Sequence, residues 1–385
     1  MLGQQSAQHC QTPARADAQS QSEPATRRRP IPSHFSVYLD LLRLAMAVDV
    51  VLFHLRTIGI GPLSIQRLLP GTGHECVIVF FVLSGYIIAA TAERKDSTFL
   101  DYALDRFARV YSVAIPALLI STAASLALGV GSHADVLTGL AANLTFVGES
   151  WSANAFPPTD PPFWSLCYEV MYYTLFGCAV YLRGIARVAA LTLVLLLAGP
   201  KVLLLLPCWL LGAIAYQWRD QFSLGKIGAI VAGLVLPALA FGALTFLQLG
   251  ATVDALFGAS PGLAFSQHFA KDYITASIIA LHLYAMRSLV FVWPAWLGRA
   301  VVAFAGFTFT LYLVHYPILL AVQHSQLRYS LPGLALSLVL VAAAVYVVGT
   351  LTELRRHRVR AWMVAVVGSV VRWRRRRLDE RAACG

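Results

Sequence analysis

Charged residues are scarce in this chain, and their scarcity excludes a water-exposed globular surface. Of 385 residues only 13% are charged, whereas 58% are hydrophobic, and the mean hydropathy is +0.67. An ordinary soluble domain carries about 25% charged residues. The composition therefore predicts a polytopic membrane protein.

Metal-ligand spacing is also lacking. The six cysteines form no CxxC pair, and four of them lie in or beside apolar segments, where cysteine behaves as a small hydrophobe. We therefore expect no bound metal. These four are Cys76, Cys167, Cys178 and Cys208.

Residues 1–33 lack apolar periodicity and are rich in Gln, Ala, Ser, Pro and Arg. Such a segment cannot bury enough apolar surface to fold alone, so we predict a disordered cytoplasmic tail. It has no apolar core or cleavage site of a secretory signal, which predicts that the first membrane helix remains as an anchor. The predicted membrane domain covers 34–353, and a basic, interfacial cytoplasmic tail covers 354–385.

Apolar runs of membrane-spanning length recur along the chain, which predicts an all-α fold. Gly199-Pro200 interrupts one long run, so the stretch 187–218 is either two short spans or one kinked helix. Counting it as two gives ten spans. They lie near residues 38–57, 75–93, 109–130, 163–182, 187–199, 201–218, 225–247, 271–291, 300–323 and 332–352.

Positive charge is divided unevenly between alternate connections. With a cytoplasmic N-terminus, the inner connections hold ten Lys and Arg and the outer ones five, and residues 131–162 hold none. This asymmetry obeys the positive-inside rule, and an even number of spans puts both basic tails inside. The net charge of +11 then reflects topology and contact with anionic membrane lipids. We predict no nucleic-acid partner and a multi-pass location in a bacterial inner membrane.

Arg43 and His54 lie inside the first apolar run, eleven residues apart. At about 100° per residue, this spacing puts both side chains on one helix face, roughly 16 Å apart along the axis. An arginine near mid-membrane costs at least ~2.5 kcal/mol, so it normally faces a bundle interior or a wet cavity. The pair predicts an active site, with a snorkelling arginine and an interfacial histidine as the alternative.

Two more titratable residues are predicted at the depth of His54. Glu169 lies near the outer end of an inward helix, and His315 lies in the outer half of an outward one. Such convergence suits general acid–base catalysis. Alternatively, Glu169 bonds to a neighbouring helix, and His315 packs at a helix bent by Pro317.

Small and basic residues mark the remaining candidate positions. Ser84-Gly85 at mid-membrane lets a helix or a thin ligand approach the backbone, and helix packing is the commoner reason. Glu75, at the outer end of that helix, borders the predicted site. Arg106 and Arg109 share one face at the cytoplasmic side and suit a phosphate-bearing ligand, although topology alone also places arginines there.

These motifs resemble the acyltransferase 3 family of integral membrane acyltransferases. They occur in family order between about residues 35 and 352. One departure is Ser112, where a proline often follows the double arginine closely. The resembling pieces are Arg43 to His54, Phe80 to Tyr86, Arg106-x-x-Arg109, Phe163-Trp164-Ser165-Leu166 with Glu169 and Tyr172, and Tyr312-Leu313-Val314-His315.

The resemblance implies transfer of an acyl group, often acetyl, from cytoplasmic acyl-CoA to a hydroxyl of a carbohydrate or lipophilic acceptor. Acyl-CoA is then a co-substrate, and no resident cofactor is implied. His54 is assigned as general base, with Glu169 orienting it and Arg43 holding the donor or the charge that develops on the thioester oxygen. The residues assigned to the donor are Arg106, Arg109 and Ser84, and those assigned to the acceptor are Trp164, His315, Tyr312 and Glu75.

A proton-coupled secondary transporter is the alternative function, because intramembrane Arg, His and Glu also mark such carriers. Carriers usually show internal repeats and paired broken helices, whereas this chain shows no convincing repeat and a single break at Gly199-Pro200. The outer segment, residues 131–162, is long enough to form a lid over the site or an interface anchor. The acceptor, the acyl chain length and the oligomeric state stay open.

Overall fold

The structure, a computed structural model, is helical throughout the part of the chain that it describes, and no strand occurs there. The predicted tail 1–33 lies almost entirely outside that part. The all-α prediction is confirmed. The described residues are 31–94, 98–221, 224–257, 260–290 and 292–383.

Sixteen α-helices form the described fold. A π-helical stretch, Val231–Val235, joins α9 to α10, and 3-10 turns occupy Pro161–Phe163, Pro261–Ser266 and Glu353–Arg355. The helices are α1 (Ser33–Ile58), α2 (Leu63–Gln66), α3 (Gly73–Arg94), α4 (Phe99–Leu128), α5 (His133–Leu144), α6 (Trp164–Tyr181), α7 (Gly184–Leu204), α8 (Leu206–Gln217), α9 (Lys226–Ile230), α10 (Leu236–Phe246), α11 (Leu249–Phe257), α12 (Phe269–Met286), α13 (Ala295–Ala305), α14 (Thr308–Gln323), α15 (Leu331–Leu351) and α16 (Arg356–Ala383).

Five helical stretches in the described ranges are long and apolar enough to cross a membrane, and a bent pair makes a sixth. The count of ten spans stays a prediction, although each predicted span falls on a helix or a helix pair. The five stretches are Gly73–Glu93, Phe99–Leu128, Gly184–Leu204, Lys226–Leu244 and Leu331–Ser369.

The bent pair corrects one prediction, the single helix over 300–323. The chain instead breaks into α13 and α14, which meet at 54°. At the break, the Glu353 carboxylate accepts hydrogen bonds from the Thr310 backbone N–H at 2.9 Å and from its hydroxyl at 2.8 Å. This carboxylate satisfies a donor that an unbroken helix would satisfy internally. The partner comes from 43 residues away, so the local sequence pattern could not indicate it.

Helices α3 and α8 pack backbone to backbone. A Cβ atom on Gly85 would lie 2.0 Å from the Trp209 carbonyl oxygen, and one on Gly212 would lie 1.9 Å from the Val82 carbonyl oxygen. Only glycine permits such an approach. The structure therefore supports packing as the reason for Gly85, and it places Ser84 beside α8, where the Trp209 indole donates to its hydroxyl at 3.2 Å.

The stretch 187–218 consists of α7, broken near its end, followed by the short α8. Gly199 has φ 74° and ψ 171°, a conformation that favours glycine. Pro200 has no N–H to donate to the Leu196 carbonyl, which accepts from the Trp151 indole instead. At the end of α7, the Tyr172 hydroxyl donates to the Val202 carbonyl at 2.6 Å and the Tyr273 hydroxyl to the Leu204 carbonyl at 2.5 Å. These bonds make the irregular backbone tolerable inside an apolar bundle.

The outer segment is not a simple loop, because it contains α5 and folds against the break in α7. Its Trp151 indole donates to the Leu196 carbonyl at 2.6 Å. Its Glu149 carboxylate lies 2.6 Å from the Lys201 ammonium, and both side chains are buried. The outer segment is therefore tied to the helical bundle.

Candidate functional site

A cavity of about 850 Å³, including its open mouth, lies between α1, α3, α4, α6 and α14. We call it the central cavity. Six of the ten residues predicted for the site line it. These six are Arg43, Ser84, Arg106, Arg109, Glu169 and Tyr312.

The charged lining of the central cavity is predominantly positive. Arg43, Arg106 and Arg109 are opposed by Glu169 as the acidic lining residue. Arg43 also donates to Asp40, one helical turn away, at 3.3 Å. Walls that carry one sign of charge favour a ligand of the other sign, so the cavity suits an anionic guest.

A chain of hydrogen bonds fixes Glu169 at the cavity wall. The Ser84 hydroxyl donates to the Tyr173 hydroxyl at 3.0 Å, and the Tyr173 hydroxyl donates to the Glu169 carboxylate. No hydrogen bond or ion pair joins Glu169 to His54 within the described ranges. The structure therefore groups Glu169 with the predicted donor residues and shows no such bond for its assigned role of orienting His54.

His54 lies instead beside a second histidine. The rings of His54 and His315 are 5.2 Å apart between centroids, and the Tyr316 ring lies 4.9 Å from His54. The predicted convergence of α1 and α14 thus brings both histidines together. Neither ring is among the residues that line the central cavity.

The hydrogen bonding of His315 sets its tautomer. Its Nδ1 lies 2.9 Å from the Leu311 carbonyl oxygen, which can only accept, so Nδ1 carries the hydrogen. Nε2 must then present a lone pair if the ring is neutral. This nitrogen is fully buried and has no hydrogen-bond partner in the described structure. Such a nitrogen is available to accept a proton or a hydroxyl hydrogen.

Tyr312 connects the central cavity to the histidines. Its side chain lines the cavity, and its ring centroid lies 6.4 Å from that of His315. Its hydroxyl donates to the Pro162 carbonyl at 3.0 Å and shares a hydrogen bond of 2.7 Å with Ser165. Tyr312 therefore forms a rigid wall between the two sets of predicted residues.

Trp164 and Glu75 lie in a cluster of already paired side chains. Trp164 is 5% exposed, and its ring stacks on Phe265 at 4.5 Å and on His74 at 6.0 Å between centroids. Glu75 forms an ion pair of 2.9 Å with Lys271. Their assignment to the acceptor stays a prediction.

Asp160, in the outer segment, is a residue that sequence reasoning missed. Its side chain is completely buried, and neither carboxyl oxygen has a hydrogen-bond partner in the described structure. It lies within electrostatic range of Tyr312 and Tyr316. In the sequence it is one acidic residue in a proline-rich run, and nothing local marks it as buried.

Replacing Asp160 by asparagine is expected to make the protein more stable than the wild type at neutral pH. Burial raises the pKa of the Asp160 carboxyl well above its ordinary value. As pH rises above about 4, the carboxyl group ionises in the unfolded chain but stays protonated in the folded chain, which favours unfolding of the wild type. The asparagine amide does not ionise, so the variant does not lose stability in this way. Thermal unfolding at pH 4 and pH 8 checks this, because the advantage of Asp160→Asn should shrink at the lower pH. A pH-independent difference contradicts it.

Comparison with known proteins places the sequence in a family. The sequence model of an acyltransferase domain, that of acyltransferase 3, matches residues 36–353. The exopolysaccharide production protein ExoZ of Rhizobium meliloti (strain 1021) is 30% identical over 141 residues, which cover 34% of this chain and 44% of that relative. No solved structure matches the chain. The chain belongs to the acyltransferase 3 family.

Proposed function

We propose that this protein is a membrane O-acyltransferase that moves an acyl group, acetyl in the simplest case, from cytoplasmic acyl-CoA to a hydroxyl of a carbohydrate or lipid-linked acceptor. The observation that carries the proposal is an arginine-lined cavity with Tyr312 in its wall, because the Tyr312 ring lies 6.4 Å from that of His315, which in turn lies 5.2 Å from that of His54. The relative ExoZ is named an exopolysaccharide production protein, and this name favours a carbohydrate acceptor.

The proposed topology is ten spans with both ends in the cytoplasm. It is supported by the uneven distribution of Lys and Arg between alternate connections. In this orientation Arg106 and Arg109, near the start of α4, meet the cytoplasm. The inner end of the central cavity then opens toward the pool of acyl-CoA.

In the proposed donor complex, the phosphates of CoA bind at Arg106 and Arg109, and the pantetheine arm occupies the central cavity. Arg43 lies roughly 16 Å from His54 along α1. We therefore assign Arg43 to holding the donor arm and not to the thioester oxygen beside His54. Glu169, fixed by Tyr173, belongs to the same part of the site.

In the proposed reaction, the acceptor hydroxyl attacks the thioester carbon while its proton passes to His54 as general base. The new carbon–oxygen bond forms, the carbon–sulfur bond breaks, and the proton moves from His54 to the departing CoA thiolate. His315, whose ring contacts His54, is the neighbour that holds the imidazole in place. This arrangement replaces Glu169 with His315 as the partner of the base.

The proposal is tested by incubating membranes that contain the protein with radiolabelled acetyl-CoA and extracting the lipid and glycan fractions. Label should appear as a base-labile ester in one of these fractions, and membranes from cells without the gene serve as the control. Glycan O-acetylation in cells with and without the gene identifies the acceptor. Accumulation of an intact solute in vesicles, with no label transferred, would favour the transporter and overturn the proposal.

A further inference from the structure

A second cavity lies where α16 crosses α4. Its volume is about 580 Å³, including its open mouth, and we call it the basic cavity. Four arginines and one aspartate contribute its charged lining. Its lining residues are Asp105, Arg106, Ala108 and Arg109 from α4, and Arg356, His357 and Arg360 from α16.

The basic cavity and the central cavity share a wall. Arg106 and Arg109 line both of them. A polyanionic head bound to these two arginines would therefore lie beside α16. The interfacial anchor predicted for this part of the chain does not account for the cavity.

The α16 arginines differ in their partners. Arg360 forms ion pairs with Asp105 and, at 3.7 Å, with Asp101, which fix α16 against α4. Arg356 forms no ion pair in the described structure. Arg106 and Arg109 lie close enough to repel it, and the Glu353 carboxylate lies close enough to attract it. A bound phosphate would offset the repulsion between these guanidinium groups.

We propose that α16 completes the donor site, with Arg356 joining Arg106 and Arg109 in binding the phosphate groups of acyl-CoA. The inference rests on the proposed function and extends it. Helix α16 begins at Arg356, beyond the residues 36–353 matched by the acyltransferase domain. Arg360 is a positioning residue in this arrangement. Anionic lipid headgroups offer the same phosphate chemistry, so the test must separate the two sources.

The test compares Arg356→Gln with Arg358→Gln in purified protein reconstituted into phosphatidylcholine vesicles, with and without phosphatidylglycerol. Arg358 lies in the same turn and is exposed, but it does not line the basic cavity. We expect Arg356→Gln to raise the KM for acetyl-CoA about tenfold, the worth of one charge-assisted hydrogen bond, with kcat nearly unchanged. Arg358→Gln should match the wild type, and Arg356→Lys should fall between.

The outcomes separate this inference from the function on which it rests. A wild-type KM in Arg356→Gln, with acetyl transfer intact, overturns the inference alone. If Arg356→Gln changes the KM only when phosphatidylglycerol is present, the site binds lipid phosphate, and the inference is also overturned. If the wild type neither binds nor transfers labelled acetyl-CoA, the proposed function itself is wrong.

Discussion

Replacing His54 by alanine is expected to lower kcat for acyl transfer by about 10²–10⁴-fold, the usual contribution of a general base. The proton of the acceptor hydroxyl moves in the transition state, so the loss should appear in kcat more than in the KM for acetyl-CoA. Initial rates of label transfer at matched amounts of reconstituted protein measure it. The control is His324→Ala, because His324 is exposed and bonds to the Leu320 carbonyl at the end of α14.

A variant of the neighbouring His315 tests the same role of His54 independently. If His54 and His315 act as one unit, as their ring separation of 5.2 Å indicates, His315→Ala should also lower kcat. The double variant should then be little worse than His54→Ala, because groups that act together are not additive. Normal transfer by His54→Ala would remove this residue from the mechanism.

The pairing of the histidines shows how much of the site the sequence could predict. The direction of each helix and the position of a residue within it fix its depth in the membrane, and depth was enough to bring His54 and His315 to one level. Depth does not fix the rotation of a helix about its axis. Glu169 was therefore placed at the level of His54, but its hydrogen-bonded partner is Tyr173.

Hydrophobic periodicity predicted helical segments well but not the points where distant residues interrupt them. At the break before α14 the Thr310 N–H donates to Glu353, and the carbonyls at the end of α7 accept from hydroxyl groups of other helices. Both are long-range contacts that a local window of sequence does not contain. The same limit hid Arg356 from the predicted donor site, because its neighbours Arg106 and Arg109 lie some 250 residues earlier.

Replacing Lys201 by alanine is expected to cost about 3–5 kcal/mol of stability, the usual effect of removing one member of a buried ion pair. Lys201 is 2% exposed, and its ammonium lies 2.6 Å from the Glu149 carboxylate, which is fully buried. It also donates to the Ala153 carbonyl. Without Lys201, the outer segment carries an unpaired buried carboxylate against the break in α7. Unfolding of the detergent-solubilised protein by heat or by denaturant measures the loss of stability.

A matched set of variants separates the ion pair from the effect of shortening a side chain. Lys226→Ala, at an exposed lysine that begins α9, should leave stability within about 0.5 kcal/mol of the wild type. The double variant Lys201→Met with Glu149→Gln should recover much of the loss, because it leaves no buried charge without a partner. If it is as unstable as Lys201→Ala, the charge is not the cause, and the bond to Ala153 is the contact that holds the outer segment on the bundle.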